Sequence, residues 1–122
     1  YEQAKNNSMH AGLQDRVHAY LQDAYQFETK KIYDVIFIDA AMSQYRKYME
    51  HFLKNTRKGT VFFFDNLQFH GIVECPELSQ NRSTVQLTRK ILKFREYLKT
   101  DSRFEITFHL DVGDGIAIAV VK

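Results

Sequence analysis

Cysteine is almost missing from this chain. The single Cys75 among 122 residues rules out a disulfide framework and a cysteine-built zinc site, and it makes a reducing cytoplasm the expected compartment. Long hydrophobic runs are absent too. The apolar stretches are strand-length, far below the roughly 20 residues a membrane-spanning helix needs, so no membrane partner is expected. Neither sign of charge dominates: 17 Lys and Arg against 15 Asp and Glu leave +2. Such a total neither demands nor excludes nucleic acid, which needs a clustered basic face rather than a sum. Proline occurs once, at Pro76. No repeat, low-complexity tract or interdomain linker interrupts the chain. With 44% hydrophobic and 26% charged residues, the composition is that of one globular domain with a modest core.

Two apolar runs each end in a carboxylate, and the second adds an amide. They are Tyr33-Asp34-Val35-Ile36-Phe37-Ile38-Asp39 and Thr60-Val61-Phe62-Phe63-Phe64-Asp65-Asn66. Apolar residues are continuous rather than alternating, which reads as strands buried on both faces. Between them, residues 43–54 have helical periodicity, with Ser43 as N-cap and Tyr45, Tyr48, Met49, Phe52 and Leu53 on one face. Strand, helix, strand at this spacing predicts two parallel neighbours. Parallel neighbours finish at the same sheet edge, where open α/β sheets bind ligands. Asp39, Asp65 and Asn66 are therefore expected together there, as a seat for a hard cation. Helix capping and turn chemistry explain the same residues without a metal.

The remaining elements follow from local signals. Residues 1–11 read as a helix stopped by Gly12. Residues 16–21 read as a short strand, and 23–31 as a turn or short helix. A long connection, 66–81, carries Pro76 and has the length of a binding loop or lid. A helix is predicted from about Ser83 to Thr100, with Leu87, Ile91, Phe94 and Leu98 inward. Its Arg89, Lys90, Lys93 and Arg95 read as a solvated face. Residues 104–110 and 116–122 form a terminal antiparallel hairpin around Gly113-Asp114-Gly115. His10, His18, His51 and His109 share no ligand spacing and are expected at solvated or strand-face positions. The chain opens inside a helix without an initiator Met, which suggests a fragment.

These residues resemble the cation-dependent, S-adenosylmethionine-using O-methyltransferases, the group of catechol and caffeoyl-CoA methyltransferases and their bacterial relatives. The stretches that carry the resemblance are Phe37-Ile38-Asp39-Ala40, Ser43-Gln44-Tyr45, Asp65-Asn66 with Phe69-His70-Gly71, and Gly113-Asp114-Gly115-Ile116-Ala117. The opening Tyr1 to Asn7 and Gly12 to Val17 are also similar to that family. The resemblance implies an α/β fold: a Rossmann-like methyltransferase sheet with a terminal antiparallel hairpin. On that map residues 1–122 are a single partial domain, its carboxyl-terminal two-thirds, lacking the first two strands.

The same resemblance implies Mg²⁺ on Asp39, Asp65 and Asn66, and S-adenosylmethionine near Tyr1, Asp23, Ala24, Asp39 and Ala40. Phe69 and His70 would help select substrate. A lysine is usual three residues after the first metal aspartate, as a general base; here Met42 stands there, and a thioether cannot take a proton. The implied activity is methyl transfer to a metal-chelating hydroxyl, on a catechol-like small molecule or a hydroxyuridine in tRNA. The family's habit of dimerising makes a homodimer the expected assembly. Met42 and the missing cofactor loop keep a second expectation in view, a catalytically weak or inactive scaffold of methyltransferase fold. A phosphate-accepting response-regulator-like domain also places aspartates at strand ends, but it needs a later strand-end lysine that the hairpin does not offer.

Overall fold

The computed structural model describes residues 1–75 and 81–122. Four strands form one mixed sheet in the order β1-β2-β4-β3, where β1 is Val35–Ile38, β2 Val61–Phe64, β3 Phe104–His109 and β4 Ile116–Val121. β1 and β2 are parallel, with Val35 opposite Val61 and Ile38 opposite Phe64. β4 runs antiparallel to both β2 and β3. The crossover from β1 to β2 passes through α2, Tyr45–Phe52, which is flanked by 3₁₀ turns at Met42–Gln44 and Leu53–Asn55. The helix α3, Arg82–Thr100, leads from β2 into β3.

Alternation sets what is buried. Phe62 and Phe64 point from β2 to one face, and their partners on β4 are Ala119 and Ala117. Large beside small lets the two phenyl rings stack, with centroids 6.0 Å apart. Tyr45 and Met49 of α2, and Ile91, Phe94 and Leu98 of α3, close over that face. Each such side chain contributes about 1.5–3 kcal/mol when fully buried. The α3 start is capped by Asn81, whose side chain accepts from the Ser83 N–H at 2.9 Å. The α1 helix, Glu2–His10, ends in a Schellman motif: Gly12, at φ +68°, donates to Met9, and Leu13 donates to Ser8.

Five expectations change, one of them on α3, where Arg95, read as part of a solvated face, is buried and paired with Glu74. Residues 16–21 form no strand. A strand exists only through ladder partners, and no described segment pairs with this one; Tyr20 merely rests on Phe27, ring centroids 5.0 Å apart. β1 is not buried on both faces. Val35 and Phe37 are 56% and 59% exposed, because no described element covers the side of the sheet away from the helices. Ser43 is not the cap of α2; it lies inside the preceding 3₁₀ turn, and the N-cap is Gln44. His51 is not solvated. Its side chain is 8% exposed, and its Nε2 donates to the Phe27 carbonyl at 2.8 Å. The part of the predicted substrate loop at 76–79, with Pro76, lies outside the described residues.

Candidate functional site

Register brings the acidic strand ends together. Ile38 and Phe64 are opposite one another in a parallel pair, so Asp39 and Asp65 leave the sheet side by side, and Asn66 follows. Tyr45, in the first turn of α2, comes up beneath them. Its ring is buried, with Phe64 and Phe94 both 5.8 Å away. Its hydroxyl donates to the Asp65 main-chain oxygen at 2.8 Å and lies near the Asn66 side chain. Burial first, then the nearby Asp39 and Asp65 carboxylates, push the phenol up to about 12, against the lowering effect of the Asn66 side chain. One buried hydroxyl thus senses all three predicted ligands.

The chain then makes a tight left-handed passage. Asn66, Phe69 and His70 have φ of +63°, +45° and +56°. Such angles are rare outside glycine, and tertiary contacts hold them here. The Leu67 and Gln68 N–H groups donate to Gly115 and Asp114 carbonyls at 3.0 and 2.8 Å. Asp114 Oδ1 accepts from the His70 N–H at 2.6 Å. Asp114 Oδ2 is buried and lies 3.8 Å from His70 Nδ1. Gln68 Nε2 donates to the Leu110 carbonyl at 3.3 Å. The Gly113-Asp114-Gly115 turn is therefore a template for residues 66–70, beyond a simple reversal.

The donor set fits a hard cation in its chemistry: two carboxylates and an amide oxygen at one edge. Asp39 is exposed, while Asp65 and Asn66 are half-buried. Asp65 Oδ1 already accepts the Asn66 N–H at 2.7 Å, which orients the carboxylate. No group of three or more His, Cys, Asp or Glu able to hold a metal occurs among the described residues. A cation held here would have only these three side chains as protein donors and would need water or substrate to complete its shell.

The predicted cofactor residues divide. Ala24, Asp39 and Ala40 line one cavity of about 280 Å³, with Ile36, Tyr48 and Phe52. Asp23 caps the 3₁₀ turn Ala24–Gln26, accepting from the Tyr25 N–H at 2.9 Å. Tyr1 sits apart, in a second cavity of about 310 Å³ with Lys5, Val17 and Tyr20. Met42 is half-buried against the core. Phe69 is half-buried and His70 exposed on the loop leaving Asn66. Sequence reasoning missed Tyr45 and Asp114. Helical spacing marked Tyr45 as core, and its position beside Ser43-Gln44 was the available signal for more. Asp114 was hidden between two glycines that explained the turn.

The parallel β1–β2 pair with oxygen donors at its carboxyl ends defines an open α/β domain of the ligand-binding kind. Within that class the chain belongs to the O-methyltransferase family, whose model matches residues 1–122. The caffeoyl-CoA O-methyltransferase of Populus kitakamiensis is 33% identical over 92 residues, which are 70% of this chain and 37% of that protein. The crystal structure of an O-methyltransferase from Bacillus cereus in complex with S-adenosylhomocysteine is similar at TM-score 0.79 and 30% identity, over 99% of this chain and 57% of the other. A Staphylococcus aureus protein provisionally described as a caffeoyl-CoA O-methyltransferase superposes at TM-score 0.90 with 26% identity, over 99% and 59%. The chain spans little more than a third of the Populus protein and under three fifths of the two bacterial ones. No described helix is long and apolar enough to cross a membrane.

Proposed function

We propose that residues 1–122 are the carboxyl-terminal two-thirds of a methyltransferase domain, and that this domain is an S-adenosylmethionine- and Mg²⁺-dependent O-methyltransferase acting on a metal-chelating hydroxyl. The observation that carries the reading is the in-register end of β1 and β2, which supports Asp39, Asp65 and Asn66 sharing one sheet edge beside Tyr45, whose hydroxyl donates to the Asp65 main-chain oxygen. Family membership supports it. The exposed Val35 and Phe37 and the apolar cavity beside β1, lined by Tyr20, Phe27, Val35 and Phe52 among others, support a sheet that continues past β1. The acceptor is a catechol-like small molecule or a hydroxyuridine in tRNA, the compartment the cytoplasm, and the assembly a homodimer.

When bound, Mg²⁺ supplies charge that acidifies the acceptor hydroxyl, and S-adenosylmethionine supplies the electrophilic methyl group. The residues do the rest. Asp39, Asp65 and Asn66 would hold the ion, which would supply a positive charge to attract the acceptor's oxygens. Tyr45 fixes the Asp65 backbone, and the Asp114 template fixes Asn66. Ala24 and Ala40 shape the cavity on the methyl-donor side. Such fixed geometry replaces a bimolecular encounter with a near-attack one. Met42 takes no proton, so the acceptor proton leaves to water and the rate rises with pH.

Calorimetry of the full-length protein with S-adenosylmethionine, and methyl transfer to catechol with Mg²⁺ or with chelator, test this. Binding with Mg²⁺-dependent turnover is expected. Absent cofactor binding points to the scaffold reading, which Met42 favours. Mass spectrometry of tRNA from a deletion strain decides the acceptor: unchanged wobble uridines remove the tRNA version.

A further inference from the structure

The α3 helix carries six cations, and they fall into two kinds. Arg95 is buried and pairs with Glu74 at 2.8 Å, and Lys99 pairs with Glu96 at 3.0 Å. Elsewhere Lys54, Arg57 and Arg103 also hold carboxylates. Arg82, Arg89, Lys90 and Lys93 are exposed and have no carboxylate partner among the described residues. At 100° per residue, Arg82, Arg89 and Lys93 lie within about 40° of one another, with Lys90 beside them. They form a line about 16 Å long, enough for several consecutive phosphates at the roughly 3.4 Å axial spacing of a stacked strand.

A groove of about 270 Å³ runs along the end of this line nearest α2, with Met42 and Ser43 at one side and Arg46, Lys90, Lys93 and Tyr97 along it. The Arg46 guanidinium carbon sits over the Tyr97 ring, 4.1 Å from its centroid. That ring is itself held, because the Tyr97 hydroxyl meets both Glu50 and Arg103. Arg46 is thus pre-positioned without being neutralised. Met42 and Ser43 belong to the 3₁₀ turn that follows Asp39, so the groove opens beside the proposed methyl-transfer end.

We infer that this α3 face is a track for the phosphodiester backbone of a single-stranded RNA segment, which leads the nucleotide to be methylated toward Asp39 and Asn66. The inference rests on the reading of that end as a methyl-transfer site. Its own support is electrostatic: positive charges left uncompensated in a line, from two helices, in a chain whose net charge is only +2. A line suits a strand, where a compact anion would want a cup.

The test is fluorescence polarisation of the full chain with a labelled short oligouridylate across a salt series. Four phosphate contacts predict roughly fifty-fold weaker binding at about 200 mM than at about 50 mM salt, and Lys90→Gln with Lys93→Gln lowers that ratio to roughly sevenfold. A control double variant off the track, Lys31→Gln with Lys58→Gln, keeps the fifty-fold ratio. Thermal melts accompany each variant, and Arg89→Gln replaces any that melts lower. Salt-independent binding, no binding, or equal ratios for track and control variants overturn the inference. So does displacement of the RNA by equivalent inorganic pyrophosphate, which would mark a compact anion site. S-adenosylmethionine binding is read on the same unsubstituted protein: its failure sinks the methyltransferase reading, while the salt slope judges the RNA track separately.

Discussion

Replacing Gly115 with alanine attacks the template under Asn66 without touching any proposed ligand. Gly115 sits at φ +85°, and an added Cβ would lie 2.7 Å from Gln68 Cγ and 3.0 Å from the Gln68 nitrogen. The left-handed backbone costs about 1–2 kcal/mol for a residue with a Cβ. The contact with Gln68 nitrogen is with backbone, so the 67–68 segment must shift. That shift strains two hydrogen bonds, Leu67 to Gly115 and Gln68 to Asp114, each worth about 0.5–1.5 kcal/mol. The sum is about 2–5 kcal/mol if both bonds are lost, a large share of the roughly 5–15 kcal/mol that holds such a domain folded. Gly113→Ala is the internal comparison. It has φ +54° and nothing within 4 Å of the added Cβ, so only the backbone cost of about 1–2 kcal/mol applies. Urea unfolding of both variants reads the difference, and Mg²⁺ titration reads whether Asn66 moves. Equal midpoints for the two variants would refute the template argument; so would a Gly115→Ala protein as stable as its parent.

Other expectations follow from the same contacts. Tyr45→Phe keeps the ring packing but leaves the Asp65 carbonyl short of a donor, costing about 1–3 kcal/mol; chemical denaturation checks it, and Mg²⁺ affinity should fall as well. Burial foremost raises the Tyr45 phenol to about 12, and burial together with the Glu50 carboxylate raises the Tyr97 phenol to about 12. Their contribution is complete below the usual value near 10 and is lost as pH climbs from there toward 12, so melts at rising alkaline pH should show falling stability, less steeply in Tyr97→Phe. On the acid side, Arg103 holds the Glu50 and Asp101 carboxyls below their usual values of 4.5 and 3.8. That stability is present above those values and fades as pH drops beneath them; Arg103→Gln should remove the acid-range slope, and an unchanged slope would discount the cluster. Met42→Lys should raise the methyl-transfer rate at neutral pH and flatten its pH dependence; an unaltered profile would show that a missing side-chain base does not limit the reaction.

Much of this protein was legible as local pattern. Continuous apolar runs announced β1 and β2, and period 3.6 announced α2 and α3. The order strand, helix, strand was enough to put Asp39, Asp65 and Asn66 at one edge, because a parallel pair has only one edge at which both strands can finish. What the chain alone could not yield depends on contacts between distant segments. Residues 16–21 have strand character but no ladder partner. Val35 and Phe37 are as apolar as Phe62, yet they stay exposed because no described element lies over them. Tyr45 and Asp114 gained their roles from segments 20 and 44 residues away. The basic face of α3 separated from its buried Arg95 only when Glu74 came within reach. Periodicity records which side of an element wants water. Only the folded chain decides which group stands opposite, and charge, strain and hydrogen bonding all take their meaning from that neighbour.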